Sequence, residues 1–225
     1  MRIADIAPGE INRSQFCLVE TTGIHPSAYS LLKRLLDIVG GLVGLTIVAM
    51  VFFPIAIAIW LDDPGPIFYQ QKRCGLNGNC FMLYKFRTMV QNAEQLKHQV
   101  KNEAKGAIFK NQNDPRITRV GRILRRTSLD ELPQFWNVVR GEMSLVGTRP
   151  PTVEEVAQYS RRHWMRLHVK PGLTGEWQVN GRSTISDFEE IVSLDLRYQA
   201  RWSFGYDVQL IIKTILTVLI RADAY

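Results

Sequence analysis

Cysteine and histidine are scarce in this 225-residue sequence. The three cysteines, Cys17, Cys74 and Cys80, contain no C-x-x-C pair. Their odd number argues against a disulfide scaffold or a zinc ribbon, and a reducing compartment is the simple reading. Of the four histidines, His163 and His168 are five apart, a spacing that a helix does not bring to one face, so no histidine metal pair is expected. Internal repeats and low-complexity tracts are also missing. Apolar residues are not: they make up 46%, against 22% charged, which excludes a disordered or collagen-like chain. The length suits one domain with appendages. Acid is in deficit, 21 Asp+Glu against 28 Lys+Arg, and the net charge of +7 calls for an anionic partner: nucleic acid, acidic lipid or a phosphorylated substrate.

Charge is wholly absent from residues 38–61, IVGGLVGLTIVAMVFFPIAIAIWL. Twenty or so such residues cross a bilayer. The segment starts too far in, and lacks the small-residue cleavage site, to be an ordinary signal peptide. Lys33 and Arg34 precede it and Asp62 and Asp63 follow it. As a true span it would place residues 1–37 in the cytoplasm and the rest outside. Pro54 removes a backbone hydrogen bond two-thirds of the way along, and a helix kinked there can enter and leave by one face. Membrane helices also tolerate proline within simple spans, so both topologies stand on these features. Gly40-x-x-x-Gly44 allows close helix approach.

Around this segment the chain reads as α+β, mainly helical with a small β-hairpin. The hairpin is formed by 67–73 and 80–89 around a Gly/Asn turn at 75–79. Helices are expected over 91–105, 116–126, 129–140, 152–166 and 187–202, with 168–183 a structured loop. The tail is apolar from Val208 to Ile220 apart from Lys213, too short to span, and suits an interfacial or packing helix.

Between Lys110 and Arg182 lie 13 Lys+Arg, 11 of them arginine, against 7 acids. Arginine's planar fork pairs bidentately with phosphate, although a solvated helix face or an anionic lipid accounts for any single one equally well. Arg149 and Arg182 stand apart because each lies in a Gly/Pro-rich turn, where backbone amides can help hold an anion. Amid these cations comes Ser128-Leu129-Asp130-Glu131-Leu132-Pro133. Ser128-x-x-Glu131 matches a capping box, and acids favour the first turn of a helix. The same placement, near Arg125 and Arg126, stabilises an ionised carboxylate able to attack phosphorus. Such an attack needs a cation against like-charge repulsion, and Mg²⁺ held by one or two carboxylates and substrate phosphates suits it.

From Lys33 to about Ile220 the chain resembles the bacterial sugar transferases, monotopic phosphoglycosyl transferases acting on polyprenol phosphate. The resemblance rests on KRLLDIVG (33–40), the proline-broken membrane helix, YKFRTM (84–89), RRTSLDELPQFWNVVRGEMSLVGTRP (125–150), VKPGLTGEWQVNGRS (169–183) and DLRYQARWSFGYDVQLIIKTI (195–215). It implies a leader at 1–29, a re-entrant membrane helix at 30–62 broken at Pro54, a cytoplasmic catalytic domain at 63–205 and an interfacial C-terminal helix and tail at 206–225. It also implies transfer of a sugar 1-phosphate from a UDP-sugar to undecaprenyl phosphate at the cytoplasmic face of the inner membrane. By this resemblance Asp130 is the nucleophile, Glu131 assists or joins Asp130 in binding Mg²⁺, and Arg125 supports the pair. Arg149 and Pro150 belong to the nucleotide and phosphate pocket, Arg182 to the phosphate site, and Lys85, Arg87 and Asp195 to substrate binding.

Two features depart from that pattern. Phe53 stands where the smallest members often carry serine, and 37 leading residues are too few for the extra membrane helices of larger relatives. The PGLTGEWQVNGRS wording is nearest to relatives that start exopolysaccharide or capsule repeats with glucose or galactose 1-phosphate. A homo-oligomer stays open. A membrane-tethered nucleic-acid binder would suit the charge and Trp164, Trp177 and Trp202, but no nucleic-acid-binding motif is present and no such partner is expected. An inactive scaffold of an envelope-assembly complex would keep the fold, and the intact acidic pair argues against it.

Overall fold

Ser30 has extended backbone, and its hydroxyl accepts the Lys33 N–H at 3.2 Å, which starts helix α1, Leu31–Asp62. Pro54 lies inside α1, and helix continues on both sides of it. A proline there costs about 3 kcal/mol. Burial of Ile55 and Ile59, about 1.5–3 kcal/mol each when complete, offsets it. A computed structural model describes residues 25–181 and 185–220.

One face of α1 packs on the rest of the chain: Lys33, Asp37, Gly41, Gly44, Ile55 and Ile59 are buried, with Val48, Val51 and Phe52 partly buried between them. The other exposes Leu35, Leu42, Met50, Phe53, Ile57 and Trp60. The small residues of the Gly-x-x-x-Gly pattern meet the rest of this chain. A Cβ on Gly44 would stand 2.3 Å from the Phe135 ring.

The hairpin follows as expected. β1 (Phe68–Cys74) and β2 (Cys80–Phe86) are antiparallel, with Tyr69 opposite Lys85. Residues 91–99 depart from expectation: they form turns and a short 3₁₀ segment at Lys97–Gln99. A polar helix of that length is marginal alone, and its side chains are bound elsewhere, Gln91 to Pro64 O and Lys97 to Glu154. Helix α2 is Arg119–Arg126, capped by Thr118. The expected helix at 129–140 is a 3₁₀ turn, Leu129–Gln134, leading into α3, Phe135–Arg140. Pro133 lacks the donor that a continuous α-helix needs.

β3, Ser144–Val146, runs parallel to β4, Gly172–Thr174, a pairing with no counterpart in the sequence reading. The expected helix at 152–166 is divided into α4 (Val153–Val156), α5 (Arg161–Trp164) and a 3₁₀ turn. Thr152 and Ser160 each begin a new helix by capping it. Within the 168–183 loop lies α6, Glu176–Gly181. Two longer helices end the described chain, α7 (Phe188–Arg201) and α8 (Phe204–Ile220). α8 buries Leu210 and exposes Ile212, Ile215 and Leu216.

The main core joins the hairpin, α3, β3, α7 and α8 through Phe81, Leu83, Val138, Val146, Tyr198 and Leu210. A second cluster lies beneath the distal half of α1, where Ile55 and Ile59 meet Phe86 and Leu124. Polar groups root the proximal half. Lys33 Nζ donates to Val146 O (2.9 Å) and Asp207 Oδ2 (2.6 Å), and Asp37 Oδ1 accepts from Ser144 Oγ and Leu145 N–H, both at 2.8 Å. At the far end Asp62 Oδ2 accepts the Val120 N–H at 2.8 Å. Of the leader, residues 25–29 are docked: His25 bonds Gln199 O and meets the Trp202 ring edge-on.

Candidate active site

Asp130 and Glu131 sit on the 3₁₀ turn between α2 and α3. Leu129 and Leu132 of that turn pack into the cluster beneath α1. The expected capping box is absent. Ser128 is left-handed, φ 58°, and its side chain makes no cap hydrogen bond. The same S/T-x-x-E pattern is used instead at Thr152–Glu155, where both reciprocal bonds form, at 2.9 and 3.0 Å. Glu131 turns to Lys85 on β2, with Oε1 2.9 Å from Nζ, and Asp130 Oδ2 lies 4.0 Å from the same ammonium. Asp130 is 5% exposed.

Asn137 holds α3, which follows the acidic turn, to β2, and the sequence reading passed it over. Fully buried on α3, it accepts the Tyr84 N–H at 3.2 Å and donates to Met82 O and Glu142, both at 2.7 Å. Arg73 was also missed. It donates to Pro150 O at 2.9 Å and lies beside Arg149. Burial, and then the charge of Arg149, lower its pKa to about 10. Arg149 pairs with Glu155 at 3.0 Å and faces the Trp177 ring at 6.0 Å. Burial opposes its charge, but Glu155 overcomes that and holds its pKa above the ordinary value. The Glu131 charge reaches both arginines. Lys85, Asp130, Glu131, Arg149 and Pro150 thus converge, with Arg73 added.

Three expected residues stand elsewhere. Arg87 is buried and clamps Asp63 at the end of α1. Arg125 donates to Thr88 Oγ1 at 3.0 Å and makes no bond to the acidic pair. Asp195 is wholly buried against Arg166 at 2.7 Å; burial pushes its pKa up and Arg166 partly offsets this. Arg182 lies outside the described residues. For none of these was there a sequence signal separating a structural cation or acid from a binding one.

Among the described residues no three acids, histidines or cysteines cluster as a metal cage. Two adjacent carboxylates, Asp130 and Glu131, are what the protein offers. That donor set fits a hard cation completed by substrate oxygens.

The chain matches the bacterial sugar transferase family over residues 28–221. It is 48% identical over 194 residues to the galactosyl transferase CpsE of Streptococcus agalactiae, covering 85% of this chain and 43% of that protein. It is 40% identical over 202 residues to the UDP-glucose:undecaprenyl-phosphate glucose-1-phosphate transferase of Escherichia coli, covering 87% and 42%. The chain therefore spans less than half the length of these two relatives. Against the exopolysaccharide production protein ExoY of Rhizobium meliloti the match is end to end, 37% identity over 218 residues, 94% of this chain and 96% of that one. By the extent of these matches the chain belongs to the bacterial sugar transferase family.

Proposed function

We propose that this chain transfers a hexose 1-phosphate from a UDP-sugar to undecaprenyl phosphate, releasing UMP, as the first membrane step of exopolysaccharide or capsule synthesis. The observation that carries the reading is a pair of adjacent carboxylates, one nearly buried, set against Lys85 and within electrostatic reach of Arg73 and Arg149. Relatives named for this reaction supply its substrates.

The reaction proceeds in two displacements. An Asp130 carboxylate oxygen attacks the sugar-bearing phosphorus of the donor, the P–O bond to UMP breaks, and an acyl phosphosugar forms. A phosphate oxygen of undecaprenyl phosphate then attacks the same phosphorus and frees Asp130. Lys85 weakens repulsion between the carboxylates and the incoming diphosphate, and Arg73 and Arg149 neutralise its outer oxygens. Asp130 and Glu131 would hold Mg²⁺ jointly with the diphosphate. When bound, the ion supplies charge neutralisation at phosphorus.

The packing of α1 supports a monotopic, re-entrant placement, which the UDP-sugar donor assigns to the cytoplasmic face of the inner membrane. A 32-residue helix is about 48 Å long, well beyond the roughly 30 Å of hydrocarbon. Yet Lys33 at one end and Ile59 and Asp62 at the other bind the same body. A true span would have to pull one end off. The outward apolar face of α1, with that of α8 beside the interface, would instead enter one leaflet.

Mass spectrometry after adding UDP-glucose or UDP-galactose without acceptor tests the mechanism. Tryptic peptide 127–140 should gain a hexose phosphate that undecaprenyl phosphate discharges. Turnover with no such adduct, under conditions that trap it, would overturn the two-step reaction.

A further inference from the structure

Cys74 and Cys80 are directly opposed at the closed end of the β1–β2 hairpin, with their Sγ atoms 3.8 Å apart. The Cys74 N–H points away from β2, to Pro151 O at 2.9 Å, while the Gly75 N–H crosses to Asn79 O at 2.8 Å. The two cysteines are therefore a narrow, non-hydrogen-bonded pair, of the kind whose Cα atoms stand about 4.5 Å apart. That separation falls within the span of a disulfide, about 4.4–6.8 Å between Cα atoms. Their environments differ. Cys80 is exposed, whereas Cys74 is fully buried beside Val156 and Leu167.

We propose that Cys74 and Cys80 form an oxidant-responsive dithiol that closes reversibly into a cross-strand disulfide when a peroxide reaches Cys80. The exposed Cys80 thiol gives its proton to solvent and its sulfur attacks the peroxide; the O–O bond breaks, sulfur gains an oxygen as sulfenic acid, and the departing hydroxide takes a proton back from solvent to become water. The Cys74 sulfur then displaces that oxygen. The S–S bond forms, the S–O bond breaks, and the Cys74 proton departs with the hydroxide as a second water. Two thiols and one hydrogen peroxide thus give one disulfide and two waters. Burial, and then the neighbouring Cys80, push the Cys74 pKa up to about 12, so Cys80 is the sulfur oxidised first and Cys74 the one that resolves it. A thiol reductant returns the pair, as suits a transient disulfide in a reducing compartment. The bond would also fix the strand end whose Arg73 and Cys74 hold Pro150 and Pro151. This inference is independent of the transferase reading.

The full-length protein in lipid nanodiscs is treated with hydrogen peroxide. It is then denatured with N-ethylmaleimide and digested with trypsin. No Lys or Arg separates the two cysteines, so peptide 74–85 carries both. The expected product is that peptide lighter by two hydrogens and without maleimide, regaining two adducts after dithiothreitol. Cys74→Ser should divert Cys80 to sulfinic acid, and Cys80→Ser should leave Cys74 unoxidised. Cys80 overoxidised in the wild type while Cys74 is alkylated would overturn the proposal, as would Cys80 joined to Cys17, or two adducts surviving oxidation.

Discussion

Lys33 and Lys85 both face carboxylates, in opposite settings. Lys33, 5% exposed, finds Asp207 at 2.6 Å, Val146 O at 2.9 Å and Tyr198 OH at 3.4 Å. An ammonium has three donors, and here each has an acceptor. Asp207 is itself held by the Tyr198 hydroxyl and the Trp202 ring N–H. Lys85 is 26% exposed, bonds Glu131 at 2.9 Å and stands 4.0 Å from Asp130. A saturated lysine fixes two elements, the base of α1 and the start of α8. A lysine with donors to spare, beside carboxylates on a 3₁₀ turn, can still receive an anion. Burial alone does not separate the two, since Asp130 and Asp207 are both buried. The count of satisfied donors does.

The sharpest way to break this contrast is Asp130→Asn. If the acidic turn serves only the fold, the change is mild, because Ser128 makes no cap bond there and a charge–dipole contribution is about 0.3–1 kcal/mol. A neutral amide cannot form the acyl phosphate, so turnover should fall by about 10³-fold or more, with the thermal midpoint nearly unchanged. Near-normal release of UMP by this variant would return Asp130 to a structural role.

Next is a crossed pair. Lys33→Met leaves Asp207 buried without its cation and should destabilise by about 3–5 kcal/mol, lowering the midpoint by about 10 °C. Lys85→Met should cost about 1 kcal/mol or less, because the pair is partly exposed, yet reduce turnover about 10²-fold. Thermal unfolding and initial rates of both variants, in one detergent, check the crossing. Equal stability losses would erase the distinction.

How far the sequence alone leads can be seen element by element. The hairpin was legible because aromatic runs flank a Gly/Asn turn, and α1 because 24 residues carry no charge. β3 and β4 were not, since three residues each are too few to show a period. The helix expected at 152–166 is divided at Ser160, which caps a new helix and also reads as an ordinary helix residue. At the site, Asp130 and Glu131 were visible as a motif, but their local pattern alone pointed first to a capping box, and only tertiary packing sends Glu131 to Lys85. Arg73 and Asn137 carried no signal. A strand arginine and a helix asparagine are unremarked until Pro150 O, Met82 O and the Tyr84 N–H are found opposite them. Arg87 failed in the other direction: its motif suggested binding, and its guanidinium closes on Asp63.

The half-buried Arg149–Glu155 pair sharpens the comparison through pH. Burial raises the Glu155 carboxyl pKa, and the Arg149 guanidinium, with smaller contributions from others, brings it below its ordinary value. A carboxylate depressed in the folded state contributes stability that is fully present above the unfolded pKa, near 4.5, and lost as pH falls through the folded one. Glu155→Gln should therefore cost about 2 kcal/mol at pH 7, within the range of a charge-assisted hydrogen bond. It should also flatten the stability loss below about pH 4.5. Denaturant midpoints at pH 7 and pH 4 measure both. An unchanged acid slope would show that the Arg149 pairing contributes nothing to folding.

The smallest expected effect lies in the backbone beneath the acidic pair. Ser128 is left-handed at φ 58°, where a side chain costs about 1–2 kcal/mol and glycine costs nothing. Ser128→Ala removes the hydroxyl and keeps the Cβ, whereas Ser128→Gly removes both. The difference between the two variants therefore isolates the backbone strain from any bond the hydroxyl makes. The glycine variant should be the more stable by about 1 kcal/mol, a midpoint difference of about 2–4 °C. Strain at such turns persists where the surroundings over-determine the conformation. If this strain helps hold Asp130 against Lys85, the glycine variant will turn over several-fold more slowly than the alanine one despite its greater stability. Equal rates would make the left-handed residue a tolerated turn and leave the placement of Asp130 to Asn137 and the leucines beneath α1.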